Sequence, residues 1–375
     1  MAPTSCNGSW QTRFTKLFPS CTVPIMGAPM AGVSGGLLAA ETCRAGALGS
    51  IGAGHHNTVS EAKCLEQEVE RFREASASAT PLVVGFICHS TFGSEGGWRL
   101  TEDFISKHKP TAIQFFAPAV ITRNCSGSSS DTANNIDLAK RYGCKVITQV
   151  GTEVDAREAL KAGTDCIIAQ GTEAGGHGCR SAIGSGTLSL ASRLVSIVRS
   201  NEKWKDVPVL AAGGIVDGRG LAAALALGCD GAVLGTRLWA SNEARGRADC
   251  KQRMADADVG PDQISRNEIF DFLQNSASSN PWPKPYDSSG MIRNEIIGHW
   301  EGKIHEAKAE LDKSDNSQLM QEFKSASKGD PEVAFIHSGK GVGDICSIDG
   351  AYDIICSIDQ ETRAIIQRDL KKLIE

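Results

Sequence analysis

The stretch Val209-Leu-Ala-Ala-Gly-Gly-Ile-Val-Asp-Gly-Arg-Gly220 runs a short apolar segment straight into paired glycines, and Gly231-Ala-Val-Leu-Gly-Thr236 repeats the arrangement. A short apolar run without polar alternation reads as a strand buried on both faces, as in a parallel sheet covered by helices. Between the two runs, Arg219–Leu227 is rich in Ala and Leu and reads as the crossover helix. Working outward, the same unit recurs. Strands are predicted at Ile25–Ala28, Ala47–Ile51, Leu82–Cys88, Ala112–Phe116, Lys145–Val150, Cys166–Gln170, Pro208–Ala212 and Gly231–Leu234. Helices are predicted over Gly36–Ala45, Val59–Glu74, Glu153–Ala162 and Leu188–Arg199 as well. Regular βα alternation implies parallel strands joined by right-handed crossovers. Eight such units predict an α/β fold of the (β/α)₈ TIM barrel type rather than an open sheet.

The regularity stops after Arg237. From Asn242 to about Gly329 the chain is polar and of helical character, interrupted by Asn280-Pro-Trp-Pro-Lys-Pro-Tyr286. A linker would not spend Trp282, Tyr286 and Trp300, which favour burial. Three parts are therefore expected: a barrel over residues 1–241, a smaller helical cap inserted after strand eight over 242–329, and a C-terminal return over 330–375 that packs a last helix, Glu361–Ile374, on the barrel. Asn124–Asp131 reads as a mobile Ser-rich loop. Ile345-Cys-Ser-Ile-Asp349 recurs as Ile355-Cys-Ser-Ile-Asp359, too short a period and too few copies for a solenoid.

Composition narrows the function classes. The 375 residues carry a net charge of −5 and no basic stripe, so nucleic acid is not an expected partner. The 13 cysteines form no CxxC pair and no zinc spacing, which suits free thiols in a reducing compartment. No apolar run approaches membrane-spanning length. The opening MAPTSCNGSWQTRFTK lacks the apolar centre of a signal peptide, and KKLIE is not a peroxisomal address of the SKL type, so a cytoplasmic location is expected.

In a barrel of this kind the chemistry sits where strands end, and phosphate commonly binds after strands seven and eight. Gly213 and Gly214 end the seventh strand; Gly235 and Thr236 end the eighth. Glycine lets main-chain N–H groups approach phosphate oxygens, and the Thr236 hydroxyl adds a donor. Either strand end alone would equally suit a tight turn. Strand six ends in Ala169-Gln-Gly-Thr-Glu-Ala-Gly-Gly-His177. His177 is a residue type suited to proton abstraction near neutral pH, although a loop histidine bonded locally is the plainer alternative. Gly175 and Gly176 would admit a flat ligand, and Glu173 is expected to hold the loop by accepting main-chain hydrogen bonds. After strand one, Ala28 and Met30 could floor a flat ring system, since Met adapts its shape; read alone, Met30 is as well suited to the core. His55 and His56 are adjacent, an arrangement that rarely serves one metal, and no metal is expected. His89, just past strand three, is a reserve base. Gly339-Lys-Gly-Val-Gly343 has no room for a following βαβ unit and is rejected as a dinucleotide loop.

Pro24-Ile-Met-Gly-Ala-Pro-Met-Ala-Gly-Val-Ser34, Ala47–Gly54, Ala169–His177, Val209–Gly220 and Leu227–Arg237 together resemble the signature stretches of the nitronate monooxygenase family, in that family's order. The resemblance implies FMN, with Met30, Gln170 and Gly175 beside the flavin, Gly213, Gly214, Gly235 and Thr236 around its phosphate, and His177 as the base that removes the proton α to a nitro group. It implies a small nitro compound or nitronate and O₂ as substrates, with a carbonyl compound and nitrite as products. The stretch Gly85-Phe-Ile-Cys-His-Ser90 departs from the pattern: Ile87 stands where many members place Asn, and that contact is expected to fall to main-chain groups or to Gln149 from strand five. An FMN-dependent NAD(P)H:quinone or enoyl-thioester reductase on the same scaffold is the alternative reading. The sequence leaves the physiological substrate and any homo-oligomer undefined.

Overall fold

The computed structural model describes residues 8–124, 132–277, 281–312, 317–326, 334–369 and 372. Eight parallel strands form one curled sheet: β1 (Ile25–Gly27), β2 (Ile51–Gly54), β3 (Val83–Ile87), β4 (Ala112–Phe116), β5 (Lys145–Val150), β6 (Cys166–Gln170), β7 (Val209–Ala212) and β8 (Gly231–Leu234). Spatial order follows chain order from β2 to β8, and β8 pairs with β1. The remaining two edges meet through Leu48, which bridges Met26 of β1, donating to Ile25 O and accepting from Gly27 N at 2.9 Å each.

Alternation within each strand explains the two-sided burial. Met26, Ile147, Ile168, Leu210 and Val233 join one buried cluster, together with Phe14 of the helix Arg13–Leu17 and Phe18 that caps it. Their neighbours Ile25, Ile167, Val209, Ala211 and Leu234 point the other way, into a larger cluster with the covering helices. A strand with both faces buried is mostly apolar, the pattern the sequence shows, with Gln114, Thr148 and Gln170 as buried polar members.

Strand two differs from its predicted place. Leu48 bridges Met26 of β1, and at Gly49 an added Cβ would lie 1.9 Å from Ala39 O, so the chain runs tight against the helix Gly36–Arg44 before β2 begins at Ile51. Ala47-Leu48 therefore serves β1, while Ile51–Gly54 serves β3. Helices Glu95–His108 and Asn135–Arg141 complete the β3–β4 and β4–β5 connections that the sequence reading left blank.

The inserted segment is not solely helical. Alongside helices such as Ala248–Ala255, Ile269–Ala277 and Glu295–Trp300, it holds the antiparallel strands Ile264–Asn267 and Ser288–Ile292. Ser288–Ile292 also pairs with Gly176–Gly178, the short strand just after β6, so the insertion is stitched by main-chain hydrogen bonds to the loop carrying His177. Trp300 packs with Ile269, Leu273, Ile296 and Leu319 in a small separate cluster that Phe335 also joins. The last helix begins earlier than expected, at Ala351, and packs on Gly218–Ala226, with Glu361 accepting from Gly218 N at 2.6 Å. The Ser-rich stretch expected to be a loop lies almost wholly outside the described residues. Among the described residues no helix is long and apolar enough to cross a membrane.

Candidate functional site

Where the strands end, a cavity of about 420 Å³ opens. Every predicted site residue lines it: Ala28 and Met30 after β1, Gln149 on β5, Gln170, Gly175, Gly176 and His177 at and after β6, Gly213 and Gly214 after β7, and Gly235 and Thr236 after β8. Among the described residues its lining carries no Lys, Arg, Asp or Glu; its ionisable side chains are the imidazoles of His55, His177 and His337.

One half of the wall is main chain. Gly176, Gly213 and Gly214 adopt φ of 66°, 116° and 71°, a left-handed region that favours glycine. Gly235 has an ordinary φ, and a Cβ built there meets nothing nearer than Ala28 Cβ and Met30 Sδ at 3.8 Å. The Thr236 hydroxyl accepts from Gly339 N at 3.0 Å, leaving its own O–H to donate. That bond brings in a stretch the sequence reading set aside: Gly339 and Gly341 line the cavity, and Lys340 N donates to Glu173 O at 2.8 Å. Glu173 holds its loop as expected, accepting from Thr187 N at 2.5 Å and from the Thr187 hydroxyl.

The other half is side chain. His177 sits at the centre of the strand Gly176–Gly178, opposite Ser289. Its ring stacks on Trp282 with centroids 3.7 Å apart and planes 6° apart, and its Nε2 lies 2.6 Å from Asp271 Oδ1. Phe270, Gln274, Phe335 and His337 complete this wall. Burial pushes the His177 imidazole down to about 3, with Arg266 adding to the effect. Burial likewise pushes His337 down to about 4 and the Asp271 carboxyl up to about 7. Burial thus favours the uncharged form of both imidazoles.

Arg266, from the insertion, holds the His177 loop in place. Its buried guanidinium donates to the carbonyls of Thr172, Ser288, Ala174 and Gly176 at 2.5 to 3.2 Å. Arg180 adds a two-point contact to Asp287 at 2.7 and 2.5 Å.

Around Ile87 the cavity wall is completed by amides: Gln149 Oε1 accepts from Gln114 Nε2 at 3.2 Å, and Gln114 went unnoticed in the sequence. Gln170 Nε2 donates to His177 O at 2.8 Å, while its buried Oε1 has no partner among the described residues. His55 faces the cavity with Nδ1 2.5 Å from Ser90 Oγ, whereas His56 is turned into the core against Thr101. His89 packs on Trp282 at 4.7 Å, behind the wall.

The residues that sequence reasoning missed come mostly from the insertion and the C-terminal return. Asp271 is 94 residues from His177, so no spacing rule links them. The available signal was local: Ile269-Phe-Asp-Phe-Leu273 and Ala334-Phe-Ile-His-Ser338 each bury one ionisable residue in an apolar run, which demands a partner.

Known proteins resemble this chain in sequence and in fold. Residues 104–271 match the family model described as nitronate monooxygenase. The chain is 30% identical to the nitronate monooxygenase of Neurospora crassa, over 96% of this chain and 95% of that one. Its structure is similar to that of FabK from Thermotoga maritima, with TM-score 0.71 and 25% identity over 97% of this chain and 100% of that chain. A nitroalkane oxidase from Streptomyces ansochromogenes shares the fold at TM-score 0.70 and 23% identity, over 95% and 99% of the two chains. With a relative of that identity aligned along nearly its whole length, the chain belongs to the nitronate monooxygenase family and is a flavin-dependent oxidoreductase.

Proposed function

We propose that this protein binds FMN non-covalently in a (β/α)₈ barrel, residues 1–241, beneath a cap formed by residues 242–329 and closed off by the return, 330–375, and that it oxidises small nitroalkanes and nitronates with O₂ to carbonyl compounds and nitrite. The cavity fits such a cofactor. Gly213, Gly214, Gly235 and Thr236 offer main chain and one hydroxyl to a phosphate, with open space beside Gly235. Ala28, Met30, Gln149, Gly175 and Gly176 suit the flat ring, and the unpartnered Gln170 Oε1 suits one of its polar edges. When bound, FMN supplies the two-electron acceptor that O₂ then re-oxidises.

The chain's own residues do the rest. His177, neutral and stacked on Trp282, accepts the proton α to the nitro group. Trp282, Phe270 and Phe335 exclude water from that face. The observation that carries this reading is the placement of His177 in the wall of the cavity, a neutral base opposite a cradle of glycines. Replacing it tests the reading directly. His177→Asn should lose about 10² to 10⁴ in kcat/KM on a neutral nitroalkane, the usual worth of a general base, and far less on the pre-formed nitronate, whose proton is already gone. FMN content should not change. Equal losses on both substrates would assign His177 to orienting the nitro group instead.

A further inference from the structure

His177 cannot serve as a base through Nε2, because that nitrogen is already committed to Asp271 at 2.6 Å. Among the described residues Nδ1 has no hydrogen-bond partner, and the ring keeps 15% of its side chain exposed where it lines the cavity. Asp271 is 1% exposed on its side chain, comes from the first turn of the helix Ile269–Ala277, and its Oδ2 has no partner among the described residues. Burying a carboxyl group at such a place is costly unless it is paired, and its one close partner is the imidazole. The ring's plane is fixed independently by the stack on Trp282.

We propose that Asp271 is a positioning residue for His177: its carboxylate accepts the Nε2 proton and so keeps the Nδ1 lone pair facing the substrate. The inference rests on the base reading above. In the step it governs, the α C–H bond breaks, the proton goes to Nδ1, and the electron pair moves onto the nitro group to form the nitronate; nothing is oxidised or reduced. The resulting imidazolium donates from Nε2 to an ionised Asp271, so the pair is more strongly bound after the transfer than before it.

Protonation of Asp271 reverses the arrangement. A neutral carboxyl donates to Nε2, the ring's own proton sits on Nδ1, and the lone pair needed for catalysis is lost. Burial raises Asp271 to about 7, with Asp287 pushing the same way and His337, Arg266 and Arg180 opposing. Arg266, His55 and Asp287 also face His177. Turnover of a neutral nitroalkane should therefore rise with pH through the neighbourhood of 7, while oxidation of pre-formed nitronate lacks that limb.

Nitrogen NMR of the imidazoles, with the His177 resonance identified by its loss in His177→Asn, tests the idea on the wild-type FMN-loaded protein. The proton should sit on Nε2 well above the Asp271 transition; finding it on Nδ1 there would overturn the proposal without any Asp271 variant. Asp271→Asn presents an amide that donates to Nε2, so the proton should move to Nδ1. That variant should lose about 10² to 10⁴ in kcat/KM on the neutral nitroalkane, lose the pH limb, and keep its nitronate activity and its FMN. Asp271→Glu should restore part of the loss. If His177→Asn is impaired on the nitroalkane but Asp271→Asn is not, the positioning role fails while the base reading stands. If His177→Asn itself retains nitroalkane turnover, the base reading fails first.

Discussion

The two halves of the cavity are built by different means. The half after β7 and β8 is glycine and main chain, supplied by the most regular part of the sequence. The half around His177 is imidazole, indole and phenyl, backed by the Asp271 carboxyl, and much of it arrives from the segment that follows β8. On the function proposed above, the difference separates binding from chemistry. A main-chain cradle needs only space and correct φ, so it tolerates little change; a side-chain wall can be exchanged while the scaffold stays.

Paired glycine substitutions probe the cradle with the largest expected effect. A Cβ at Gly175 would lie 2.6 Å from the Ser338 carbonyl carbon and 2.7 Å from Gly339 N, so Gly175→Ala forces two main-chain segments apart. Overpacking of that kind costs about 1 to 3 kcal/mol, and the melting temperature should fall with or without FMN. At Gly235 the protein itself leaves room. Gly235→Val should keep the melting temperature of the FMN-free protein and weaken FMN binding by about ten- to a hundredfold, the worth of one hydrogen bond to a charged group. Equal damage at both positions would mean that Gly235 is a packing glycine, and the contrast between the halves would dissolve.

A smaller effect sharpens the same contrast through pH. Burial holds His56, His89 and His337 down to about 4 and His177 to about 3, against an ordinary 6.5. Between 6.5 and about 4 the unfolded chain therefore binds protons that the folded chain does not, and stability falls as pH falls. Asp271 acts the other way: raised from 3.8 to about 7, it holds a proton in the folded state across much of that window and gains stability as pH drops. Four imidazoles outweigh one carboxyl, so melting curves should shift down on acidification. His177→Asn should flatten the slope and Gly235→Val should leave it unchanged. A slope that both variants alter equally would break the assignment.

The strand-end half was the legible one. Buried parallel strands announce themselves as apolar runs, and the glycines after β7 and β8 mark their ends whatever follows. Strand two was displaced because one apolar run, Ala47–Ile51, is shared between two neighbours: Leu48 pairs with β1 and Ile51 with β3. The side-chain half was half hidden. His177 stood out beside its glycines and Trp282 as an aromatic in a polar segment, but Asp271, His337 and Arg266 reach the site through tertiary pairing across long stretches of chain. The repeated pentapeptide shows the same limit. Ile345–Asp349 lies largely outside helix, with Asp349 paired to Arg237, whereas Ile355–Asp359 sits within the helix Ala351–Ala364 and buries Ile355 and Ile358. Identical residues take different forms because their neighbours, not their propensities, decide.

Anaerobic mixing of the FMN-loaded protein with a pre-formed alkyl nitronate, and separately with NADH or NADPH, tests the central claim most directly. Nitronate oxidation at this site predicts that the nitronate bleaches the flavin absorbance, that the reduced nicotinamides do not, and that admitting O₂ restores the colour. Bleaching by NADH or NADPH with none by the nitronate would contradict the account and make the protein a reductase on the same scaffold.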